Sequence, residues 1–124
     1  MKLNKIDKIL AVWIIIVLFL IAWPFPDIPE AAKFDYSDKI VHMILFGVVA
    51  FLANGSVLAR GYGRKTSAII GFITGSAYAG LAEIIQLFAP GRNCSIYDFY
   101  AGTIGAIIAL MVVYFRKDKH ETGQ

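Results

Sequence analysis

The chain has 124 residues, a formal net charge of +3, and 58% of its residues in the hydrophobic set. Soluble domains run at about 45–50% apolar with glycine counted in, and this chain exceeds that before its 11 glycines are added. A soluble domain and a disordered chain are both excluded as expectations, and the single cysteine, Cys94, leaves no disulfide framework or multi-cysteine zinc site.

The apolar residues fall in four blocks: Ile9 to Trp23, Ile40 to Ala59, Thr66 to Phe88 and Tyr97 to Phe115. A helix crossing a bilayer needs about 20 mostly apolar residues. None of the blocks alternates as a strand would, and lipid leaves only helices or closed barrels as spanning structures. The blocks predict helices over about 7–25, 39–59, 66–88 and 96–115, followed by a polar tail over 116–124. The fold expected is all-α, a single four-transmembrane-helix bundle. The first block has the basic start of a signal peptide (Lys2, Lys5, Lys8), but Trp23-Pro24-Phe25-Pro26 follows where a small-residue cleavage site belongs. It is read as a retained helix, with Trp13 facing lipid and Trp23 at the interface.

Nine of the twelve Lys and Arg residues lie before the first block, between the second and third, or after the fourth. The positive-inside rule then puts both termini and the Arg60–Lys65 linker in the cytoplasm. The first and third linkers face out. The basic excess is explained by topology and contact with anionic lipid, and no nucleic-acid partner is expected.

Ionisable residues within spans are costly, so each is a candidate for function. Here they gather at the outer ends. Asp38, Lys39 and His42 open the second helix. Glu83 and Gln86 lie near the end of the third. Arg92 follows the Pro90-Gly91 turn, and Asp98 begins the fourth. Asp38 and His42 are four apart and Glu83 and Gln86 three apart, so each pair shares a helix face. His42, Glu83 and Asp98 are the candidate catalytic residues, with proton transfer as their chemistry. Asp38, Lys39, Gln86 and Arg92 are the candidate binding residues, with Arg92 and Lys39 suited to an anionic headgroup. Plainer roles compete. Asp38 and Asp98 can act as helix caps or first-turn acids, Ser95 being the rival cap for the fourth helix. His42 can be structural. Glu83, more than a turn inside its block, needs a partner, with Arg92, His42 and Lys39 as the candidates; a structural Glu83–Arg92 pair that pins the loop is a full alternative to chemistry. Cys94 reads as incidental. No metal site and no cofactor are expected, and no phosphate-cradling loop, HExxH or GxSxG is present.

Small residues form stripes at Gly71, Gly75 and Ala79 and at Ala101, Gly105 and Ala109. Such stripes let helices approach closely in lipid. They predict packing of the third helix on the fourth, within the chain or in a homo-oligomer through the Gly71, Gly75 or Gly105 faces.

The ordered set Asp38-Lys39-x-x-His42-x-x-x-Phe46, Glu83-x-x-Gln86, Pro90-Gly91-Arg92 and Asp98 resembles the VanZ-like family of small bacterial membrane proteins. The resemblance runs from about Asp38 to Ala109. One departure is clear: the family usually has an asparagine four residues after the aspartate, where this chain has Gly102. The resemblance implies a multi-pass protein of the bacterial cytoplasmic membrane, connected with the cell envelope. It also implies a link to resistance to the glycopeptide teicoplanin, for which the family is named. Two functions follow as expectations. One is binding of a lipid or cell-wall-precursor headgroup, or of a partner, by the outward polar patch. The other is an enzyme acting on a lipid-linked phosphate or amide through His42 and Glu83. An ion or proton pathway is disfavoured, because the inner half offers only Asn54, Ser67 and Thr74, with Ser76 higher up.

Overall fold

The computed structural model describes residues 2–22, 35–88 and 96–122. They form four helices and no strand among the described residues: α1 (Lys5–Ala22), α2 (Asp35–Ala59), α3 (Arg64–Phe88) and α4 (Ile96–Thr122). The helices overlap the four apolar blocks; α1 starts two residues before the expected 7, α3 two before 66, and the expected end of the first helix at 25 lies outside the described residues. α2 starts four residues before the expected 39. α4 continues through the basic tail, where Lys, Asp, His and Glu impose no break on the helix.

The four helices alternate in direction. Trp13 meets Leu45 and Asp7 meets Ser56, so α1 and α2 run antiparallel. Gly71 lies against Asn54 and Ala50, and Gly75 against Ala50 and Phe46, which sets α3 antiparallel to α2. Gly102 lies against Ala79, and Gly75 against Ala106, which sets α4 antiparallel to α3. The short turn between α2 and α3 is made by Gly61, whose φ of 93° is the left-handed conformation that closes helices and that glycine adopts without strain.

α2 is the centre of the bundle. The stripe of small residues on α3, Ser67, Gly71, Gly75 and Ala79, is buried. Gly71 approaches α2, and Gly75 approaches both α2 and α4. A side chain built on Gly105 of α4 would overlap the Met43 carbonyl of α2, and one on Gly47 would lie 3.0 Å from the Gly105 carbonyl oxygen. The stripes therefore serve packing within the chain: α3 packs on α4 as expected, Gly75 against Ala106 and Ala79 against Gly102, and both stripes also close on α2, which the sequence did not indicate. The core above them is Val17, Ile21, Leu45, Phe46, Ala79 and Ala82, ringed by Trp13, Tyr78, Ile85 and Phe99.

Trp13 does not simply face lipid. It is half-buried and donates its indole N–H to the Leu45 carbonyl at 3.0 Å, while Tyr78 donates its hydroxyl to the Ile14 carbonyl at 2.7 Å. These bonds lock α1 onto α2 and α3 in the apolar middle of the bundle.

The outward faces of all four helices carry large apolar side chains, among them Phe19, Ile44, Phe51, Ile73, Leu87 and Val112. Such continuous apolar exposure is far beyond the patches that a water-soluble protein tolerates. Lys39–Ala59, Arg64–Phe88 and Ile96–Phe115 are long and apolar enough to cross a membrane. The 18 residues of α1 include Lys5, Asp7 and Lys8 at its start.

Candidate functional site

The polar residues named from the sequence meet at one end of the bundle, opposite the α2–α3 turn. Their meeting follows from the layer beneath them. Phe46, Ala79 and Gly102 touch: a side chain on Gly102 would come within 2.9 Å of both the Ala79 Cβ and the Phe46 ring. His42 lies four residues before Phe46, Glu83 four after Ala79, and Asp98 four before Gly102. Four residues is about one helical turn on the same face. The helix directions carry all three residues one turn toward the same end. The packed triad of Phe46, Ala79 and Gly102 thus forms the floor of a second triad, His42, Glu83 and Asp98.

The upper triad is buried. His42 is 5% exposed, Glu83 7% and Asp98 5%. His42 Nε2 lies 3.7 Å from Glu83 Oε1, within ion-pair range and beyond a hydrogen bond. One nitrogen or oxygen from each of the three residues falls within 4.8 Å of the others. The His42 ring leans on Phe46 with centroids 5.7 Å apart, and Phe46 meets Tyr78 edge-on at 5.8 Å. This aromatic column fixes the imidazole from below. Gln86 is 3% exposed and one turn beyond Glu83, and its Oε1 accepts no hydrogen bond from the described residues. Lys39 is half-buried, three residues before His42 on α2.

Of the seven residues singled out from the sequence, the structure brings together His42, Glu83 and Asp98, with Gln86 on the same face of α3. The Asp38 side chain and Arg92 lie outside the described residues, as does Cys94. Gly102, where the family resemblance expects asparagine, has its side-chain space taken by Phe46 and Ala79. A hydrogen-bonding side chain there is replaced by the apolar floor.

A second polar cluster, at the opposite end, has no counterpart in the sequence reading, which saw only flanking basic residues and Asn54 there. Asp7, 8% exposed, accepts from Arg60 Nη2 at 2.8 Å and Nη1 at 3.0 Å, from the Asn4 backbone N–H at 2.9 Å, and from the Ser56 hydroxyl. Asp7 sits before the apolar run that begins at Ile9. The Arg60 guanidinium, then the Ser56 hydroxyl, hold its carboxyl well below the usual range, at about 2. The signal available was a lone acid among Lys2, Lys5 and Lys8. At the same end Arg64 donates to the Tyr114 carbonyl at 2.7 Å and stacks on its ring at 4.4 Å, tying α3 to α4.

Chemically the two ends differ. Asp7 and Arg60 form a two-pronged, tightly bonded pair that suits a structural clamp. The His42 cluster holds two acids and an imidazole at wider spacing, on three different helices. That is an arrangement able to receive a further group.

Residues 4–117 match the model of the VanZ/LLP1 family. The chain belongs to the VanZ/LLP1 family. The match covers all four apolar blocks, and so extends beyond the stretch on which the resemblance was noticed, to include α1. No curated protein and no solved structure matches the chain.

Proposed function

We propose that this VanZ/LLP1 protein crosses the bacterial cytoplasmic membrane four times, with both termini inside. In this reading its outward-facing cluster of His42, Glu83 and Asp98 holds the headgroup of a lipid or a lipid-linked wall precursor. The observation that carries the reading is the burial of three ionisable residues from three helices at one end of an otherwise apolar bundle. Such burial is costly in lipid and marks a working site by default. The charge asymmetry of the linkers supports the outward assignment. An apolar groove of about 380 Å³ between α2 and α4, lined by Met43, Gly47, Phe51, Gly105, Ile108 and Val112, starts one residue along α2 from His42. It offers an acyl chain a place beside a headgroup at the cluster, and so favours a lipid-anchored ligand over a soluble one. Arg92 and Lys39 supply positive charge toward an anionic headgroup. The link to teicoplanin resistance that the resemblance implies belongs to this proposal, through a wall precursor as the ligand.

Lipids and wall precursors retained by the purified protein, measured by native mass spectrometry, test it. Glu83→Ala abolishes retention of one headgroup class, while Glu83→Asp and Arg92→Lys keep part of it. Full retention in Glu83→Ala refutes it.

The 3.7 Å approach of His42 to Glu83 favours a second reading, an enzyme acting on a lipid-linked phosphate or amide. His42 is then the general base, with Glu83 or Asp98 as the second acid–base group. His42→Gln separates the two: an enzyme loses turnover and keeps lipid, whereas a binding protein shows no product in either form.

A further inference from the structure

We infer that His42, Glu83 and Asp98 form a binding site for one divalent transition cation, zinc being the best fit, which presents an open coordination position to the ligand's phosphate. The inference rests on the reading above and deepens it, by naming what the acids hold and which headgroup atom they recruit.

The starting point is the geometry of the cluster. Two carboxylates and an imidazole, from three helices, offer ligand atoms within 4.8 Å of one another at a buried site. A divalent cation held among them adds positive charge there and makes the site more attractive to phosphate.

The donor set suits such an ion. One imidazole nitrogen and two carboxylate oxygens are ligands that zinc accepts, at about 2.0–2.2 Å from the metal. Two ligand atoms on a tetrahedral ion are then about 3.4 Å apart, from those bond lengths. His42 Nε2 and Glu83 Oε1 are 3.7 Å apart. The ligand atom of Asp98 lies within 4.8 Å of the other two. Three protein ligands with a fourth position open is the pattern of zinc sites that bind or activate a ligand, whereas closed structural sites use four.

A second, independent feature points the same way. Gln86 is 3% exposed, shares the Glu83 face of α3, and has a side-chain oxygen that accepts no hydrogen bond from the described residues. A buried amide one helical turn from Glu83 is of the kind that orients a carboxylate ligand or a metal-bound water. The Phe46 ring beneath His42 holds the imidazole. The sequence alone assigns no metal here because no two of the ligands share a helix, so no local spacing motif exists.

The test uses the full chain, purified in detergent, stripped with a chelator, desalted and reloaded with zinc or, as a hard-cation comparison, magnesium. Bound metal per chain and the thermal midpoint are both read. Wild type takes up about one zinc per chain and its midpoint rises with zinc concentration, as linkage requires. His42→Gln, Glu83→Gln and Asp98→Asn each weaken zinc at least about tenfold. His120→Ala, in the tail, changes nothing. The near-isosteric Glu83→Gln and Asp98→Asn carry the result if His42→Gln does not fold. Zinc uptake by wild type no greater than by Glu83→Gln overturns the inference, and so does uptake lost only in His120→Ala. Headgroup retention measured on the same samples keeps the two proposals apart. Retention that is unchanged in stripped protein and abolished by Glu83→Ala overturns the metal and leaves headgroup binding standing. Zinc uptake that depends on Glu83, with full headgroup retention in Glu83→Ala, upholds the metal and overturns headgroup binding.

Discussion

Gly105→Ala tests whether the site is set by helix packing alone. Gly105 is buried in α4, and a Cβ there would overlap the carbonyl and Cα of Met43 in α2. These are backbone atoms, which no rotamer change can move aside. Restoring ordinary contact requires α4 to shift from α2 by on the order of 1 Å. Overpacking of this kind costs roughly 1–3 kcal/mol, so the bundle still folds, with a lower midpoint in thermal or denaturing-detergent titration. The functional cost is larger. Asp98 lies two turns before Gly105 on α4, and His42 is next to Met43 on α2, so the shift opens the triad. A binding site about 1 Å too loose loses most of its preorganisation. Zinc uptake and headgroup retention therefore fall at least about tenfold, a loss of about 1.4 kcal/mol in binding, although residue 105 touches neither ligand. Gly63→Ala is the comparison: nothing lies within 4 Å of a side chain there, and the substitution leaves both measurements unchanged. Wild-type midpoint and full binding in Gly105→Ala refute the reasoning.

The remaining predictions are briefer. Tyr78→Phe removes the hydroxyl that bonds the Ile14 carbonyl and lowers stability by about 1 kcal/mol. It should leave the midpoint's zinc dependence intact, since the bond ties α1 and not the triad. Asp7→Asn and Arg60→Gln each lower the thermal midpoint, and the double variant falls by less than the sum of the two; strict additivity would mean that the pair contributes nothing. The Asp7 contribution is fully present above its ordinary value near 3.8 and is lost as pH falls through about 2, so the midpoint difference between wild type and Asp7→Asn is flat from pH 7 down to about pH 5. A membrane-impermeant maleimide labels Cys94 in intact cells if the third linker faces out; labelling only after permeabilisation reverses the orientation and with it the source of the ligand.

The helices were legible because lipid makes the signal strong: uninterrupted apolar runs near 20 residues have few alternative readings. His42, Glu83 and Asp98 were legible as candidates for the same reason, since a charge in such a run stands out. Their convergence was only partly legible. Period and direction put them at one end, but the floor of Phe46, Ala79 and Gly102 depends on which helices touch, and small residues do not name their partner. That is why the stripe on α3 was assigned to α4 alone, when it also closes on α2. Trp13 was misread because an aromatic in an apolar run looks the same whether its N–H is bonded or not. Asp7 was missed because a first-turn acid is usually a solvated cap, and only the fold shows Arg60 and Ser56 above it.

The two polar clusters use opposite solutions to the same cost. At the Asp7 end, a carboxylate meets a guanidinium at 2.8 Å, and a hydroxyl and a backbone N–H complete the set. One acid is matched by one base, and the cluster closes on itself. It locks α1 to the end of α2. At the other end, two acids face one imidazole, with the histidine and Glu83 held at 3.7 Å. Two acids and an imidazole, drawn from three helices onto an apolar floor, instead leave an arrangement that can take a further group. The clamp and the cluster thus divide the labour of the bundle: the first fixes the helices, and the fixed helices hold the second at the spacing a ligand needs.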